Sequence, residues 1–545
     1  MKKMKLMLIT LILLLINISV PVNHADPSIT GQILYSSMLS LNTYLINNDG
    51  TIANTWHSNY LPGLSVYMLS NGNILRPIRL NLEQGGSGGV EEYTPTGELV
   101  WSYEYYSDNY QSHHDIAPLP NGNVLMLAWE NKNETEVINA GRNPDFVNGP
   151  VQFEHIIEVQ PTGSNMGIIV WQWHSFDHLI QDYDPGKENY GVVSDNPELL
   201  DINYGGTDAD WLHCNSIDYN EDLDQILISC RNFNEIWIID HSTTTTQAAG
   251  HTGGRYGKGG DILYRWGNPQ AYKIDAPREF YEQHDATWID LGCPGEGNIM
   301  VFNNGVGRGY SSVDEIIPPI DSSGFYNYVT GTAYAPTDPV WRYTSSGFYS
   351  FRFSSAQRLR SGNTLICDGV ASKFFEVTSQ MATVWQYNAP QVGGVFKIAY
   401  IYPQGQNIED LYCSGSFSFS NVEPETTITS TFQVQNIGEN NSLLNWTIDS
   451  YPDWGTWTFY PLSGNDLEVG YNIIVNASVL TPPGKWKKFT GTIKVKNLDN
   501  PDDFCEIDVI LKTPSPFTKN GLNLLQWILQ KHPKILPILQ HIMRL

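Results

Sequence analysis

Three imidazoles, an amide and a guanidinium stand in short stretches that lie far apart along this chain. They are His114 in HHD (113–115), His213 and Asn215 in HCN (213–215), Arg231, and His284 in QHD (283–285). A lone histidine is most economically a core residue with both ring nitrogens satisfied. Grouped, these residue types do chemistry. A guanidinium that is always charged and an amide N–H can hold the oxygens of a small anion. A neutral imidazole can act as nucleophile or proton carrier near neutral pH. A fixed cation beside the histidines raises the cost of adding a dication. The set therefore reads as an oxyanion site with no metal, rather than the three-histidine zinc or copper site that geometry also permits.

Whether these groups meet depends on the elements that carry them. A strand ending in tryptophan recurs six times, at Trp56, Trp101, Trp171, Trp266, Trp341 and Trp385. Most copies are followed by a strand, a Gly-containing turn and another strand, as in VYMLSNGNILRP, HDIAPLPNGNVLML and SAQRLRSGNTLICDG. Asn-Gly between alternating apolar runs signals a hairpin, with both turn positions expected at positive φ. Each unit supplies about four short antiparallel strands, so the fold expected is an all-β six-bladed β-propeller over residues 26–405. Its ring is closed by GQILYSSML pairing with FKIAYIYPQ. Registered on the hairpins, His114 lies nine positions before Asn123 and Ser354 nine before Asn363, and His213 and His284 open the matching strands. The innermost strands would then bring three histidines to one mouth of the channel, with Asn215 on the face of His213 and Arg231 on the neighbouring strand.

After residue 405 the alternation and turn spacing predict an immunoglobulin-like β-sandwich (406–515). A basic tail (516–545), with Lys519, Lys531, Lys534 and Arg544 and no acids, has helical spacing broken by prolines. It is expected to dock on the sandwich, or to meet a membrane surface or another copy. The start, MKKMKLMLITLILLLINIS, reads as a secretory signal peptide (1–25), so the expected location is extracytoplasmic. The formal net charge of −26 excludes nucleic acid as a partner, because a phosphate backbone needs a basic footprint. The six cysteines contain no CxxC. A Cys413–Cys505 disulfide is reasonable outside the cytoplasm, while the pairing of Cys214, Cys230, Cys293 and Cys367 stays open.

HHD, HCN with Arg231, QHD and SSAQRLRSGNTLICDG together resemble the PAPS-independent arylsulfotransferases, secreted or periplasmic six-bladed propellers, over most of residues 30–405. The resemblance implies an aryl sulfate donor, a phenolic acceptor and no cofactor. It implies that His284 is the histidine that becomes sulfated, and that His114, His213, Asn215 and Arg231 surround the sulfuryl oxygens. Ser354, at the repeat position of His114, joins the substrate-binding set. The register selects His114 over His113, and the tyrosine run from Tyr103 to Tyr110 is a candidate lip for the aryl ring. Two other classes stay open at this point. One is a non-catalytic cell-surface propeller binding glycans or proteins, which leaves the register-matched histidines without a reason. The other is a quinone-dependent dehydrogenase, which lacks its carboxylate metal site here.

Overall fold

Short apolar runs separated by turns give strands almost throughout. In this computed structural model the residues described are 31–80, 86–321, 323–390, 393–402, 409–438, 442–469, 471–500 and 503–514. The expected signal peptide and basic tail lie outside them. Three repeat hairpins show how the turns form. In Leu69–Asn73, Leu119–Asn123 and Leu359–Asn363 the N–H of the third turn residue after leucine donates to the leucine carbonyl, and the leucine N–H donates to the final asparagine. Only the glycine is left-handed, with φ of 83°, 85° and 80° at Gly72, Gly122 and Gly362. The residue before it stays at negative φ, contrary to the sequence expectation. The reason is a side-chain cap: Asn71 and Asn121 each accept the N–H two residues on, at 2.9 Å, which holds a type I turn ahead of the glycine.

The described residues divide into two compact units, 31–289 with 297–402, and 290–296 with 409–514. In the first unit, six sheets of four antiparallel strands follow one another along the chain. Their leading strands are β1 (Tyr67–Met68), β2 (Tyr110–Pro118), β3 (Cys214–Asn220), β4 (His284–Trp288), β5 (Ser355–Arg358) and β6 (Val395–Ile401). β6 pairs antiparallel with Gln32–Ser37, so the sheet that begins the unit is completed by its last strand.

Two cycles of hydrogen bonds join the six sheets. The first runs along the leading strands. Ile217 N–H donates to Asp115, Ala286 N–H to Ser216, Ala356 N–H to Asp285 and Ile398 N–H to Ser355. Lys397 then donates to Tyr67 at 2.9 Å, and Tyr67 to Asp115 at 2.7 Å, which closes the circuit. The second cycle uses the repeated tryptophans, all of which fall in the fourth strand of a sheet. Each indole N–H donates into the following sheet: Trp56 to Thr94, Trp101 to Met166, Trp171 to Thr243, Trp266 to Pro336, Trp341 to Ser379 and Trp385 back to Asn48. The tryptophan repeat read from the sequence is thus a repeat of contacts between sheets. A buried indole whose N–H finds an acceptor contributes a large apolar face at no cost in unpaired polarity.

The second unit has a four-stranded and a five-stranded sheet over one apolar core that includes Phe417, Phe432, Trp446, Val475 and Ile493. Cys413 and Cys505 form the expected disulfide there. In the first unit Cys214 pairs with Cys230 across adjacent strands, deciding one pairing that the sequence left open.

Candidate functional site

The candidate side chains sit where the leading strands bulge. Along β2 the register jumps from Ser112 opposite Ala128 to Ile116 opposite Met126, so the whole HHD triplet faces a single partner residue. Along β3 the jump from Cys214–Cys230 to Ser216–Ser229 leaves Asn215 as the extra residue. Along β4 it falls between His284–Phe302 and Thr287–Met300. Bulges re-aim side chains at the cost of ladder bonds. His114 and His213 are left-handed, with φ of 52° and 49°, conformations that cost roughly 1–3 kcal/mol each and collect at functional sites.

The cycle of leading-strand hydrogen bonds gives the true register. The residues preceding its acceptors Asp115, Ser216, Asp285 and Ser355 are His114, Asn215, His284 and Ser354. Asn215, not His213, therefore shares the position of His114 and His284, and His213 stands two residues earlier. His213 still reaches the cluster. Its ring lies 4.7 Å from that of His114, while Phe396 packs against both His114 and His284, at 5.9 Å and 5.8 Å.

His284 is the best-defined group. Its Nδ1 lies 2.8 Å from Asn304 Oδ1 and 3.2 Å from the Glu282 carbonyl, both acceptors. The Asn304 amide cannot turn round, because its Nδ2 donates to the carbonyls of Ser350 and Phe353. Nδ1 therefore carries the proton and Nε2 presents a lone pair. Burial pushes the His284 pKa down to about 3, and the nearby Arg231 and His213 act in the same direction against the Asn304 hydrogen bond. The ring is neutral at any ordinary pH. Asp285, the next residue, does not fix this tautomer: it accepts from Ala356 N–H and pairs with Lys397 at 3.0 Å.

The other members are committed to partners as well. His213 Nδ1 bonds the Asp210 carboxylate, leaving Nε2 for other work. Burial raises the Asp210 pKa, but the His213 hydrogen bond together with the charges of His213, His113 and Arg231 outweighs this and holds it low. Arg231, in a short 3-10 turn after the strand Gln225–Cys230, pairs with Glu282 and donates to Asn232. Its backbone N–H donates to the His213 carbonyl, and the Cys214–Cys230 disulfide lies immediately inside both residues. Arg231 and Glu282 line a cavity of about 180 Å³ together with Asp208, Trp211, Asn232 and Asn234. Asn215 donates to the carbonyl of Gln283, next to His284, and its buried Oδ1 has no hydrogen-bond partner among the described residues. Ser354 is fully buried, and its hydroxyl bonds Ser350 and Gly369 N–H. In the tyrosine run, Tyr105 is buried and stacks on Tyr110, and Tyr106 and Tyr110 line a separate cavity of about 110 Å³ with Trp129.

Asn304, Asp210, Glu282 and Lys397 were not legible as site residues. Asp210, three residues before His213, and Glu282, two before His284, left only their proximity as a signal. Among the described residues two other groups bring three ligating atoms within 4.8 Å of one another: Glu130 with His155 and His174, and His178 with His251 and Asp261. In the first, Lys132 already pairs with Glu130 at 2.9 Å. In the second, both imidazoles lie 2.8 Å from one Asp261 oxygen.

A family profile described as Arylsulfotransferase (ASST) matches residues 42–409. Among solved structures, a protein of unknown function from Bacteroides caccae is similar at 14% identity, over 69% of this chain and 100% of its own, with a TM-score of 0.39. A streptogramin B lyase is similar at 10% identity, over 67% and 81%, with a TM-score of 0.32. The PapD-like domain 7 of human CEP192 is similar at 16% identity, over 19% and 86%, with a TM-score of 0.17. No curated protein matches.

Proposed function

The chain belongs to the arylsulfotransferase family, and on that premise we propose that it moves a sulfuryl group from an aryl sulfate to a phenol through a sulfohistidine at His284, without PAPS. The observation that carries this reading is the ring of His284: neutral, held through Nδ1 by an amide that cannot flip, with Nε2 free. Nε2 attacks sulfur in line, the Nε2–S bond forms as the S–O(aryl) bond breaks, and the departing oxygen takes a proton from His114 or His213. In the second half the same imidazole takes the phenol proton, and the phenol oxygen displaces His284 from sulfur. Arg231, Asn215 and His213 face the sulfuryl oxygens; Arg231 does so by exchanging part of its pairing with Glu282 for the anion.

We place this chemistry on a six-bladed propeller, supported by the two closed cycles of hydrogen bonds, with an immunoglobulin-like sandwich following it. We place the protein outside the cytoplasm, supported by its two disulfides. The basic tail is proposed as a contact to a membrane surface or to a second copy. The test of function uses the enzyme with donor alone. Intact mass should show one sulfuryl addition, mapped to the His284 peptide, and steady-state rates with donor and phenol should be ping-pong. An addition elsewhere, or none in a preparation that transfers sulfate, would overturn the assignment.

A further inference from the structure

Behind His114 a second imidazole and a buried carboxylate continue inward. His113 Nδ1 lies 2.8 Å from His114 Nδ1, and His113 Nε2 lies 2.8 Å from Glu154 Oε2. The other oxygen of Glu154 accepts the Cys214 N–H at 2.7 Å. His113 and Glu154 are each 1% exposed, and the His113 ring stacks on Trp129 at 4.1 Å with 12° between planes while both its nitrogens are in contact with partners, so turning the ring over would break both contacts.

We propose that His113 and Glu154 are positioning residues that form a proton relay, switching His114 Nε2 between acid and base while His114 itself stays neutral. This rests on the sulfuryl-transfer reading above. The argument is a count of protons. Glu154 accepts, so His113 Nε2 carries a hydrogen. Between the two Nδ1 atoms there is room for one proton. When it belongs to His114, Nε2 of His114 is a bare base. When it belongs to His113, that ring is an imidazolium against Glu154, and His114 carries its hydrogen on Nε2 as an acid.

The arrangement answers a difficulty in the mechanism. Burial, and after it the facing His213, His113, His284 and Arg231, oppose a positive charge on His114 and hold its pKa well below the ordinary imidazole value. Alone it would be a poor proton donor to a phenolate. The relay moves the charge one ring inward, beside a carboxylate. In the donor half-reaction the His284 Nε2–S bond forms, the S–O(aryl) bond breaks, and the aryl oxygen takes the His114 Nε2 proton. His114 Nδ1 then takes the His113 Nδ1 proton, and His113 becomes neutral. The acceptor half-reaction runs the same transfers in reverse, so the proton inventory balances over a turnover.

The test compares donors that differ in need of a proton. Glu154→Gln should lose about 10²–10³ in sulfation rate with phenyl sulfate, within the range of a general acid, and less than about tenfold with para-nitrophenyl sulfate, whose phenolate leaves unaided. In a His114→Asn background, Glu154→Gln should not steepen the leaving-group dependence further. Should Glu154→Gln fail to fold, His113→Phe keeps the ring on Trp129 and removes both nitrogens, and it should show the same divergence. Equal losses on both donors would make the pair structural and overturn the relay. Failure of the wild-type enzyme to sulfate His284 from either donor would instead strike the sulfuryl-transfer reading.

Discussion

Asn304 decides what His284 can be. Without its Oδ1 the ring keeps one weaker acceptor, the Glu282 carbonyl at 3.2 Å, and the Nε2–H tautomer, useless as a nucleophile, becomes accessible. Losing a buried hydrogen bond worth about 1.4 kcal/mol is about tenfold in rate. Asn304→Ala should therefore slow formation of sulfo-His284 about tenfold in a single turnover, with the His284 mass addition still reached. An unchanged rate would mean that something else fixes the tautomer. The pH dependence follows from the same ring. Its pKa is depressed to about 3, so the reactive neutral form is present above that value and is lost only as the pH falls through it. Single-turnover sulfation with an activated donor should show no loss from His284 protonation between roughly pH 5 and 8, the span in which an unperturbed histidine titrates. A fall in rate centred near the ordinary value of about 6.5, surviving in His213→Gln and His113→Phe, would mean that the His284 ring titrates as if solvated.

Strand and turn positions were legible because each rests on local pattern: alternation, a glycine that must be left-handed, and a tryptophan every repeat; the turn type was not, because the side chains of Asn71 and Asn121 cap a turn in which only the glycine is left-handed. The placement of the histidines was legible only in part. Counting back from a hairpin assumes an unbroken ladder, and the ladder breaks differently in each strand: three residues face one at His113–Asp115, while one residue is extra at Asn215. That difference moved His213 off the position of His114 and put Asn215 there. The disulfide between Cys214 and Cys230 was likewise beyond sequence pairing rules, yet it braces the two strand ends that carry His213 and Arg231. Cross-linking across a loop of this size stabilises by about 3 kcal/mol. Cys214→Ser with Cys230→Ser should lower stability by about that amount in denaturant melts. It should also lower turnover more than occupancy, seen as a fall in kcat with KM little changed. A variant that keeps full kcat once refolded would show that the disulfide serves the fold alone.

At the scale of the molecule, two fields act on an anionic donor, and the structure indicates which prevails. The chain carries a formal net charge of −26, a field that repels aryl sulfates. The local attraction comes from Arg231, but Glu282 is paired to it and Asp208 lines the same cavity. The cavity presents little net positive charge to an approaching anion until Arg231 is engaged, so long-range repulsion should govern encounter. Salt screens exposed charges beyond a Debye length of about 10 Å at 0.1 M but weakens a close, partly buried contact much less. Raising ionic strength from about 0.01 M to 0.15 M should therefore increase kcat/KM for the aryl sulfate several-fold, while kcat/KM for an uncharged phenol acceptor stays flat. A donor kcat/KM that falls with salt would mean that a positive funnel steers the donor, and that Glu282 releases Arg231 before the donor arrives rather than on contact.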